Sequence, residues 1–279
     1  MFRIGNAFLF VLLSFCVSGY AQNKHEPEVQ ANTVQTAHVE LNGSYFKGYL
    51  SDIRDIMTSP MHWNGIQWKE AALIAGIAAA LYPFDTETRE EVQENRNPMS
   101  DGVARTARSF GEGQYIAPAL GTLYMYGRLR GDGKARETAL LGLESFVVSG
   151  VFTGAMKGLA HRDRPNTGHP YNIWHGPGLS VSNLSFPSGH STAAFSLAGV
   201  IASEYSDNRY IPPAAYGIAT LTALSRVNDN AHWLSDVFFG SAVGFFTAKA
   251  IVNMNTGTQS TLFPVVNGKY AGIMITHPY

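Results

Sequence analysis

Uncharged apolar runs, most of them about 12 to 16 residues long, constrain the fold of this 279-residue chain more than any other feature. Ser145 to Met156 forms the middle of one long helical pattern and is rich in small residues. Three later helical segments, Ser191 to Ser203, Ile211 to Leu224 and Trp233 to Ala248, are also apolar. A helix that is apolar all round is buried in a large core or in a membrane. The sequence therefore predicts an all-α fold, a multi-helix bundle with buried central helices.

The same runs bear on whether the bundle crosses a membrane. A helix needs about 20 apolar residues to span the bilayer core, so these runs are short for membrane spans. The mean hydropathy of −0.05 is also low for a chain that crosses a membrane repeatedly. Both observations favour a soluble or peripheral bundle. A membrane bundle of short, tilted helices rich in Gly and Ala is the alternative.

The N-terminus has the pattern of a secretory signal peptide. Arg3 gives a short positive region, Phe8 to Val17 an apolar region, and Gly19-Tyr20-Ala21 small residues at the two positions that a signal peptidase reads. A signal peptide over residues 1–21 predicts export to the bacterial periplasm or cell envelope. Cys16 is the only cysteine, so the mature chain would have no disulfide framework and no thiol chemistry.

The rest of the chain divides into three parts by its patterning. Residues 22–43 are polar and lack helical or strand periodicity, which predicts a flexible leader. The helical domain is predicted over residues 44–261. Its first helix, from Ser44, has one apolar face that could dock on the bundle or lie on a membrane surface. Residues 262–279 contain a type I′ turn signal at Asn267-Gly268, which predicts a short C-terminal β-hairpin.

Two local features are predicted in the N-terminal third of the domain. The charged stretch DTETREEVQENRN, residues 85–97, predicts an exposed helix and turn. Ser100 is the predicted N-cap of a short helix that continues to Phe110.

The segment SRVNDNAHWLSD carries the most specific chemistry. If Asp229 or Asn230 caps a helix here, His232 and Asp236 lie at positions i and i+4 of one helical face. A carboxylate one turn away can fix the tautomer of an imidazole and leave its other nitrogen free as a nucleophile or base. Arg226, six residues before the histidine, offers a planar fork suited to phosphate oxygens.

A second cationic segment ends the long helix and reads KGLAHRDRPNTG. Lys157 lies near the helix C-terminus, and Arg164 follows seven residues later. Pro165 prevents further helix and holds the residue before it extended. Two cations on either side of such a turn could converge on one anion, or they could simply favour the helix C-terminus.

The third segment, FPSGHSTAAF, is predicted to open a helix. Ser188 adds a hydroxyl donor, Gly189 lets the backbone approach a phosphate, and His190 could protonate a leaving oxygen. Unpaired backbone N–H groups make a helix N-terminus an anion site. The preceding loop, residues 166–185, contains His169 and His175 and is either an ordinary surface loop or a gate over the site.

Together the segments read Lys-x6-Arg-Pro, Pro-Ser-Gly-His and Ser-Arg-x5-His-x3-Asp, in this order. Here the sequence closely resembles the type 2 phosphatidic acid phosphatase superfamily, which includes bacterial acid phosphatases, lipid phosphatases and vanadium haloperoxidases. The match covers roughly Ala135 to Val252, a motif core of residues 135–252, and no motif position departs from the family pattern. The resemblance implies a helical bundle of the acid phosphatase and haloperoxidase type.

The resemblance further implies metal-independent hydrolysis of a phosphate monoester through a phosphohistidine intermediate. His232, oriented by Asp236, would attack phosphorus, and His190 would protonate the leaving alcohol. The phosphoryl oxygens would be held by Lys157, Arg164, Ser188, Gly189 and Arg226. No cluster of carboxylates and histidines has metal-ligand spacing, so neither a metal nor a cofactor is expected.

Two other functions fit the same residues. A vanadium-dependent haloperoxidase would hold vanadate as a cofactor on His232, although the modest length and lack of large insertions favour a phosphatase. A non-catalytic envelope protein would bind a phosphate headgroup without turnover. The expected partner is a lipid phosphate, an isoprenoid pyrophosphate or a small soluble ester. A net charge of −1 with 15% charged residues gives no indication of nucleic-acid binding. Membrane contact is open, and the sequence does not indicate an oligomeric state.

Overall fold

The structure is a computed structural model that describes residues 51, 53–180, 182, 184–256, 261–267 and 270–276. The predicted signal peptide, the leader and the start of the helix from Ser44 lie outside these residues. The described part begins with helical residues 51 and 53–58, followed by a 3₁₀ turn, Ser59–His62. Eight α-helices follow in it: α1 Gly65–Leu81, α2 Asp85–Glu94, α3 Pro98–Arg108, α4 Gly113–Arg130, α5 Gly133–Ala160, α6 Gly189–Glu204, α7 Ile211–Asn228 and α8 Leu234–Thr256. The predicted all-α bundle is confirmed.

Helix α6 is the centre of the bundle and packs against α5, α7 and α8. No charged residue interrupts it between His190 and Glu204, so it can be surrounded by other helices. The largest core cluster joins α6, α7 and α8 through Ala194, Phe195, Ala198, Ala202, Tyr216, Ala219, Ala223, Val227, Leu234, Val237, Phe238 and Phe245. This packing fixes the ends of three helices relative to one another.

Two glycines allow α8 to approach α6 very closely. A Cβ atom on Gly240 would lie 2.5 Å from the carbonyl oxygen of Ser188, the residue that caps α6. A Cβ atom on Gly244 would overlap the Thr192 carbonyl oxygen. The hydroxyl of Thr192 donates to the Gly240 carbonyl at 3.0 Å. The N-terminus of α6 is therefore held directly against the first turns of α8.

Within the described residues, two helices are long and apolar enough to cross a membrane: α5 and the Leu234–Asn255 part of α8. About half of the most apolar window of α5 (50%) and more of that of α8 (61%) is buried inside the bundle. A mostly buried core helix of a soluble bundle meets the same criterion.

In the N-terminal third one local prediction was wrong, and another was right about the helix and turn but wrong about the exposure of its first residue. Asn97, not Ser100, caps α3: its Oδ1 accepts from the Met99 and Ser100 N–H groups, both at 3.0 Å. Ser100 completes the capping box by accepting from the Asn97 N–H at 3.1 Å. Helix α2, predicted to be exposed, buries its first residue, Asp85, to 1% exposure.

Two strands, β1 Thr261–Asn267 and β2 Tyr270–Thr276, form an antiparallel pair in which Thr261 lies opposite Thr276. The residues between the strands lie outside the described part of the chain. The predicted turn at Asn267-Gly268, and with it the predicted hairpin, stays a prediction.

Candidate active site

The end of α5 places the first two cations. The helix ends where His161 adopts a left-handed conformation (φ 40°), and the His161 N–H donates to the Lys157 carbonyl at 3.0 Å. Arg164 is extended (φ −81°, ψ 152°), as expected before Pro165. Lys157 in the last helical turn and Arg164 beyond it thus lie on either side of this bend.

The ammonium group of Lys157 faces the start of α6. It donates to the carbonyls of Leu184 and Ser185, the second at 3.5 Å. Its Cε lies 4.0 Å from the position that a Cβ on Gly189 would take. Burial, together with the positive charge of Arg164, lowers the pKa of Lys157 to about 8.

Ser188 begins α6 and ties it to α8. Its Oγ accepts from the Ser191 N–H at 3.4 Å, and its own N–H donates to the Asp236 carbonyl at 3.0 Å. Gly189 and His190 are the first two helical residues. The helix dipole and the unpaired N–H groups of this first turn favour an anion here.

The backbone of His190, at the start of α6, lies against the 3₁₀ turn Ser109–Gly111. A Cβ on Gly111 would lie 2.8 Å from the His190 carbonyl oxygen, so only glycine allows this approach. Burial and the charge of Arg226 lower the pKa of His190 to about 4, against the opposing carboxylate of Glu112, whose Oε1 is 3.8 Å from Nε2. The side chain keeps 30% exposure, so it can meet a ligand from solvent.

His232 lies in the turn between α7 and α8, which corrects the predicted helix capped by Asp229 or Asn230. Both side chains are engaged elsewhere: Asp229 accepts from Arg226 Nη1 at 2.8 Å, and Asn230 accepts from Arg89 Nε at 2.7 Å. The His232 N–H instead donates to the Arg226 carbonyl at 3.2 Å. The imidazole is thus placed by a turn and not by a helical face.

Asp236 lies in the first turn of α8, and its carboxylate is fully buried. Oδ2 accepts from the Trp233 N–H at 3.0 Å, the backward half of a capping box, and from the Ser185 hydroxyl at 2.5 Å. Oδ1 accepts from Arg162 Nη1 at 2.6 Å. Burial alone would raise the pKa of Asp236, but His232, Arg162 and Ser185 hold that pKa below its ordinary value.

The His232 ring faces this carboxylate without a hydrogen bond. Nδ1 lies 3.9 Å from Asp236 Oδ2 and has no hydrogen-bond partner among the described residues. Burial lowers the pKa of His232 to about 3, which Asp236 only partly opposes. The imidazole is therefore neutral at any pH well above 3, and a neutral ring has a lone pair that can attack an electrophile.

Arg226, in the last turn of α7, supplies a third cation. Nη1 donates to Asp229, whose Oδ2 is also 3.6 Å from Arg108 Nη1. Nε is buried and donates no hydrogen bond within the described part of the chain. A buried donor without a partner is costly, so this N–H is available to an acceptor in the site.

Electrostatic effects show that the predicted site residues share one region. The positive charge of Arg164 adds to burial in lowering the pKa values of four other groups: Lys157, His190, Arg226 and His232. Ser188, Gly189 and Asp236 join them through the contacts described above. The structure thus brings all eight predicted site residues together at one end of α5, α6 and α8.

Two residues of the site were missed by the sequence reasoning. Arg162, two positions before the cation Arg164, is completely buried and pairs with Asp236. It also pairs with Asp85, at 2.7 Å, from the stretch that was predicted to be exposed. A third cation within the segment that holds Lys157 and Arg164 was the available signal, but nothing in the sequence identifies a partner 77 residues away.

The two histidines of the loop after Arg164 do not point into the site but bind Asp163. Its Oδ2 lies 2.6 Å from His169 Nδ1 and its Oδ1 lies 2.9 Å from His175 Nε2. The Asp163 carbonyl accepts from Trp233 Nε1 at 2.7 Å, next to His232. No group of three His, Cys, Asp or Glu side chains among the described residues could hold a metal ion.

The helical bundle gathers three cations and two imidazoles at one helix N-terminus, an arrangement that favours an oxyanion. Residues 138–259 match the family model described as the PAP2 superfamily. This part of the chain is similar to the PAP2 superfamily, and the resemblance that the motifs indicated is confirmed.

Relatives cover the chain unevenly. Over 66 residues, 23% of this chain, it is 41% identical to a lipid A 1-phosphatase of Porphyromonas gingivalis and spans only 15% of that protein's length. A crystal structure of Aquifex aeolicus LpxE is 20% identical with a TM-score of 0.49, covering 61% of this chain and 95% of its own. A crystal structure of the transmembrane PAP2-type phosphatidylglycerolphosphate phosphatase of Bacillus subtilis is also 20% identical, with a TM-score of 0.48. The match covers 76% of this chain and 94% of that chain.

Proposed function

We propose that this protein is a phosphatase that hydrolyses a lipid phosphate monoester through a phosphohistidine on His232, without a metal or another cofactor. One observation supports the proposal above all others. A buried, neutral imidazole lies against the carboxylate of Asp236 in a region that also contains three cations, Lys157, Arg164 and Arg226. This combination supplies a nucleophile, its orienting group and charge stabilisation for a phosphoryl group.

In the first step, the lone pair of His232 Nε2 attacks phosphorus, and the bond from phosphorus to the leaving oxygen breaks. The ring then carries positive charge, and its Nδ1–H can donate to Asp236. The present separation of 3.9 Å would shorten as that charge develops. An anionic carboxylate beside the ring therefore stabilises the positively charged intermediate, and the transition state that leads to it, more than the neutral starting state. Such a difference in stabilisation raises the rate of phosphoryl transfer.

The phosphoryl oxygens would be held by the cations and by the start of α6. Charge in phosphoryl transfer spreads over three equatorial oxygens, so positioned cations and N–H groups supply most of the catalysis. The free Nε–H of Arg226 suits one such oxygen. The Gly189 N–H and the Ser188 hydroxyl would bind another, and removing one well-placed donor typically costs about 10²–10³ in rate.

His190 would transfer the proton. It gives a proton to the leaving alkoxide and then accepts one from the water that attacks the phosphohistidine, which releases inorganic phosphate and restores His232. With a pKa of about 4, the free side chain is neutral at neutral pH. A phosphate dianion bound in the cradle, that is, among Lys157, Arg164, Arg226 and the start of α6, raises that pKa, because a nearby opposite charge favours the protonated form.

The lipid character of the substrate is supported by an apolar groove between α3 and α7. The groove has a volume of about 370 Å³ and is lined by Gly102, Val103, Thr106, Ala107, Phe110, Ile218 and Leu221. Phe110 precedes the glycine that contacts His190, and Leu221 lies five residues before Arg226 on α7. A lipid phosphate could place its phosphate group in the cradle and its acyl chain in this groove, so that charged and apolar parts of the substrate each meet a surface of the same kind. The lipid A 1-phosphatase relative agrees with such a substrate.

A comparison of two substrates tests the proposal. We expect turnover of a soluble aryl phosphate and of a long-chain lipid phosphate, both lost in His232→Ala with the helical circular dichroism unchanged. Leu221→Trp fills the groove and should raise KM for the lipid but not for the aryl ester. Leu129→Trp, at an exposed position of α4 outside the groove, is the matched control. Activity of His232→Ala within tenfold of wild type would contradict the nucleophile.

Vanadate separates the phosphatase from a haloperoxidase. As a trigonal-bipyramidal mimic it should inhibit phosphate hydrolysis, and the inhibited protein should not oxidise halide with peroxide. Halide oxidation would favour the haloperoxidase. We further propose that the chain is exported to the cell envelope and acts at a membrane surface, where the half-exposed α5 and the apolar groove offer contact with lipid.

A further inference from the structure

Arg162 is the central residue of a buried hydrogen-bond network behind His232 and Asp236. Its guanidinium has five N–H donors, and all five are used. Nε and Nη2 donate to the Tyr171 carbonyl at 3.0 and 2.8 Å, and Nη1 donates to the Ser235 hydroxyl at 2.9 Å and to Asp236. The remaining Nη2 donor binds Asp85 Oδ2 at 2.7 Å. The side chain therefore has a single orientation.

Asp85 lies at the other end of this hydrogen-bond network and also binds the start of α8. Its Oδ1 accepts from the Ser235 N–H at 2.9 Å, and its Oδ2 accepts from the Ser235 hydroxyl at 2.6 Å. Ser235 is the second residue of α8, whose first N–H groups have no partner within the helix. One carboxylate from α2 thus fixes both the Arg162 guanidinium and the helix turn that carries Asp236.

We propose that Asp85 and Arg162 are positioning residues that set the orientation and the effective charge of Asp236 toward the nucleophile His232. Arg162 occupies Oδ1 of Asp236, which leaves Oδ2 facing the imidazole. Asp85 balances the guanidinium charge, so Asp236 keeps its negative charge for the ring. The inference rests on the proposed phosphatase reaction and extends its machinery to a residue outside the matched region, 138–259.

Stability alone does not explain the hydrogen-bond network of Asp85, Arg162 and Asp236. Replacing a buried ion pair by packed apolar side chains is often neutral or stabilising, so such a pair is weak evidence for a purely structural role. Here the guanidinium is also enclosed by aromatic rings, with its Cζ 4.8 to 5.5 Å from the centroids of Tyr82, Trp174 and Trp233. The surroundings could hold an apolar residue, yet the charges converge on the one carboxylate that faces His232.

Loss of the Asp85 charge has a defined electrostatic consequence. With Asn at position 85, the guanidinium charge falls mainly on Asp236, which then stabilises a phosphorylated, positively charged His232 ring less well. The cradle cations are not touched, so substrate binding should not change. The substitution should therefore lower kcat and leave KM unchanged.

The test uses Asp85→Asn in the full chain with a soluble aryl phosphate. We expect kcat to fall about ten- to a hundredfold, as for small misplacements of a reacting group, with KM unchanged. Asp207→Asn removes an exposed partner of Lys134 and is the control, with wild-type kcat expected. A kcat within twofold of wild type, or a rise in KM without a fall in kcat, would overturn the proposal.

A double variant separates positioning from general loosening. In an Asp236→Asn background the carboxylate that Asp85 acts through is gone, so adding Asp85→Asn should reduce kcat no further. An equal fractional loss in both backgrounds would show that Asp85 acts independently of Asp236 and would overturn the inference. Both outcomes require an active wild-type protein, whereas an inactive wild type refutes the proposed function itself.

Ser235→Ala covers the case in which Asp85→Asn does not fold. The change removes only the hydroxyl that bonds both Asp85 and Arg162. We expect the same pattern, a lower kcat with unchanged KM, at a several-fold level. An unchanged kcat in a folded Ser235→Ala protein would count against positioning.

Discussion

Nδ1 of His232 lies 3.9 Å from Oδ2 of Asp236, and both side chains are almost completely buried. The same oxygen accepts hydrogen bonds from Ser185 and from the Trp233 N–H, so it cannot turn away from the ring. The carboxylate is thus held ready for a charge that the neutral imidazole does not yet have. Such preorganisation lowers the cost of reorganising the site when charge develops.

Asp236→Asn should separate binding from chemistry. The amide keeps the size of the carboxylate but loses the charge that stabilises the phosphorylated ring, so kcat should fall by about 10²–10⁴. KM for an aryl phosphate should stay within threefold, because the cations are unchanged. Steady-state kinetics measure both, and a variant with near-wild-type kcat would remove Asp236 from the mechanism.

Lys157 should make anion binding pH-dependent above neutrality. Its pKa is lowered to about 8, so the cation is present below that pH and is lost as the pH rises through it. Sulfate is a suitable probe because its own charge is constant over this range. We expect its Kd, measured by calorimetry, to rise above pH 8 in the wild type but to stay level in Lys157→Arg, since arginine remains charged. The same rise in both proteins would contradict this role.

The close contact of α6 and α8 should tolerate no added methyl group. Gly244→Ala forces a Cβ against the Thr192 carbonyl and should lower the free energy of unfolding by about 1–3 kcal/mol. Gly217→Ala, on α7 with no atom within 4 Å of its Cβ position, should instead stabilise by about 0.5–1 kcal/mol. Urea denaturation compares the two, and a Gly244→Ala protein as stable as wild type would show that the helices can separate.

Chelators should leave turnover unchanged. Lys157, Arg164 and Arg226 provide the positive charge that a divalent metal would otherwise supply, and together they repel a cation from the same space. The assay is hydrolysis of an aryl phosphate after dialysis against EDTA. Activity that disappears and returns with a divalent cation would require a metal in the mechanism.

The parts of the site that are local in sequence could be predicted. Lys157 and Arg164 flank a helix end marked by a proline, and Ser188 to His190 open a helix after a loop. Their placement at two helix ends follows from the sequence, whereas a shared anion site was indicated only by the three segments together. The turn that holds His232 could not be predicted from the local sequence. Asp229 and Asn230 are good capping residues, but Arg226 and Arg89 bind their side chains, and those contacts exist only in the folded bundle.

The role of Asp85 shows a further limit of prediction from one sequence. Its stretch is strongly charged, and charge usually indicates a solvated surface. The buried position becomes favourable only because Arg162 and Ser235 supply charge and hydrogen bonds from distant parts of the chain. Tertiary pairing of this kind has no periodicity or spacing in the sequence.

Trapping the intermediate tests the phosphohistidine most directly. The protein is mixed with a labelled phosphate ester, quenched in alkali, in which phosphohistidine survives, and digested for mass spectrometry. The proposed mechanism predicts a phosphoryl group on the peptide that contains His232, absent in His232→Ala and enriched in His190→Ala if water attack is slowed. A phosphoryl group on another residue, or turnover with no phosphorylated His232 at any quench time, would contradict it.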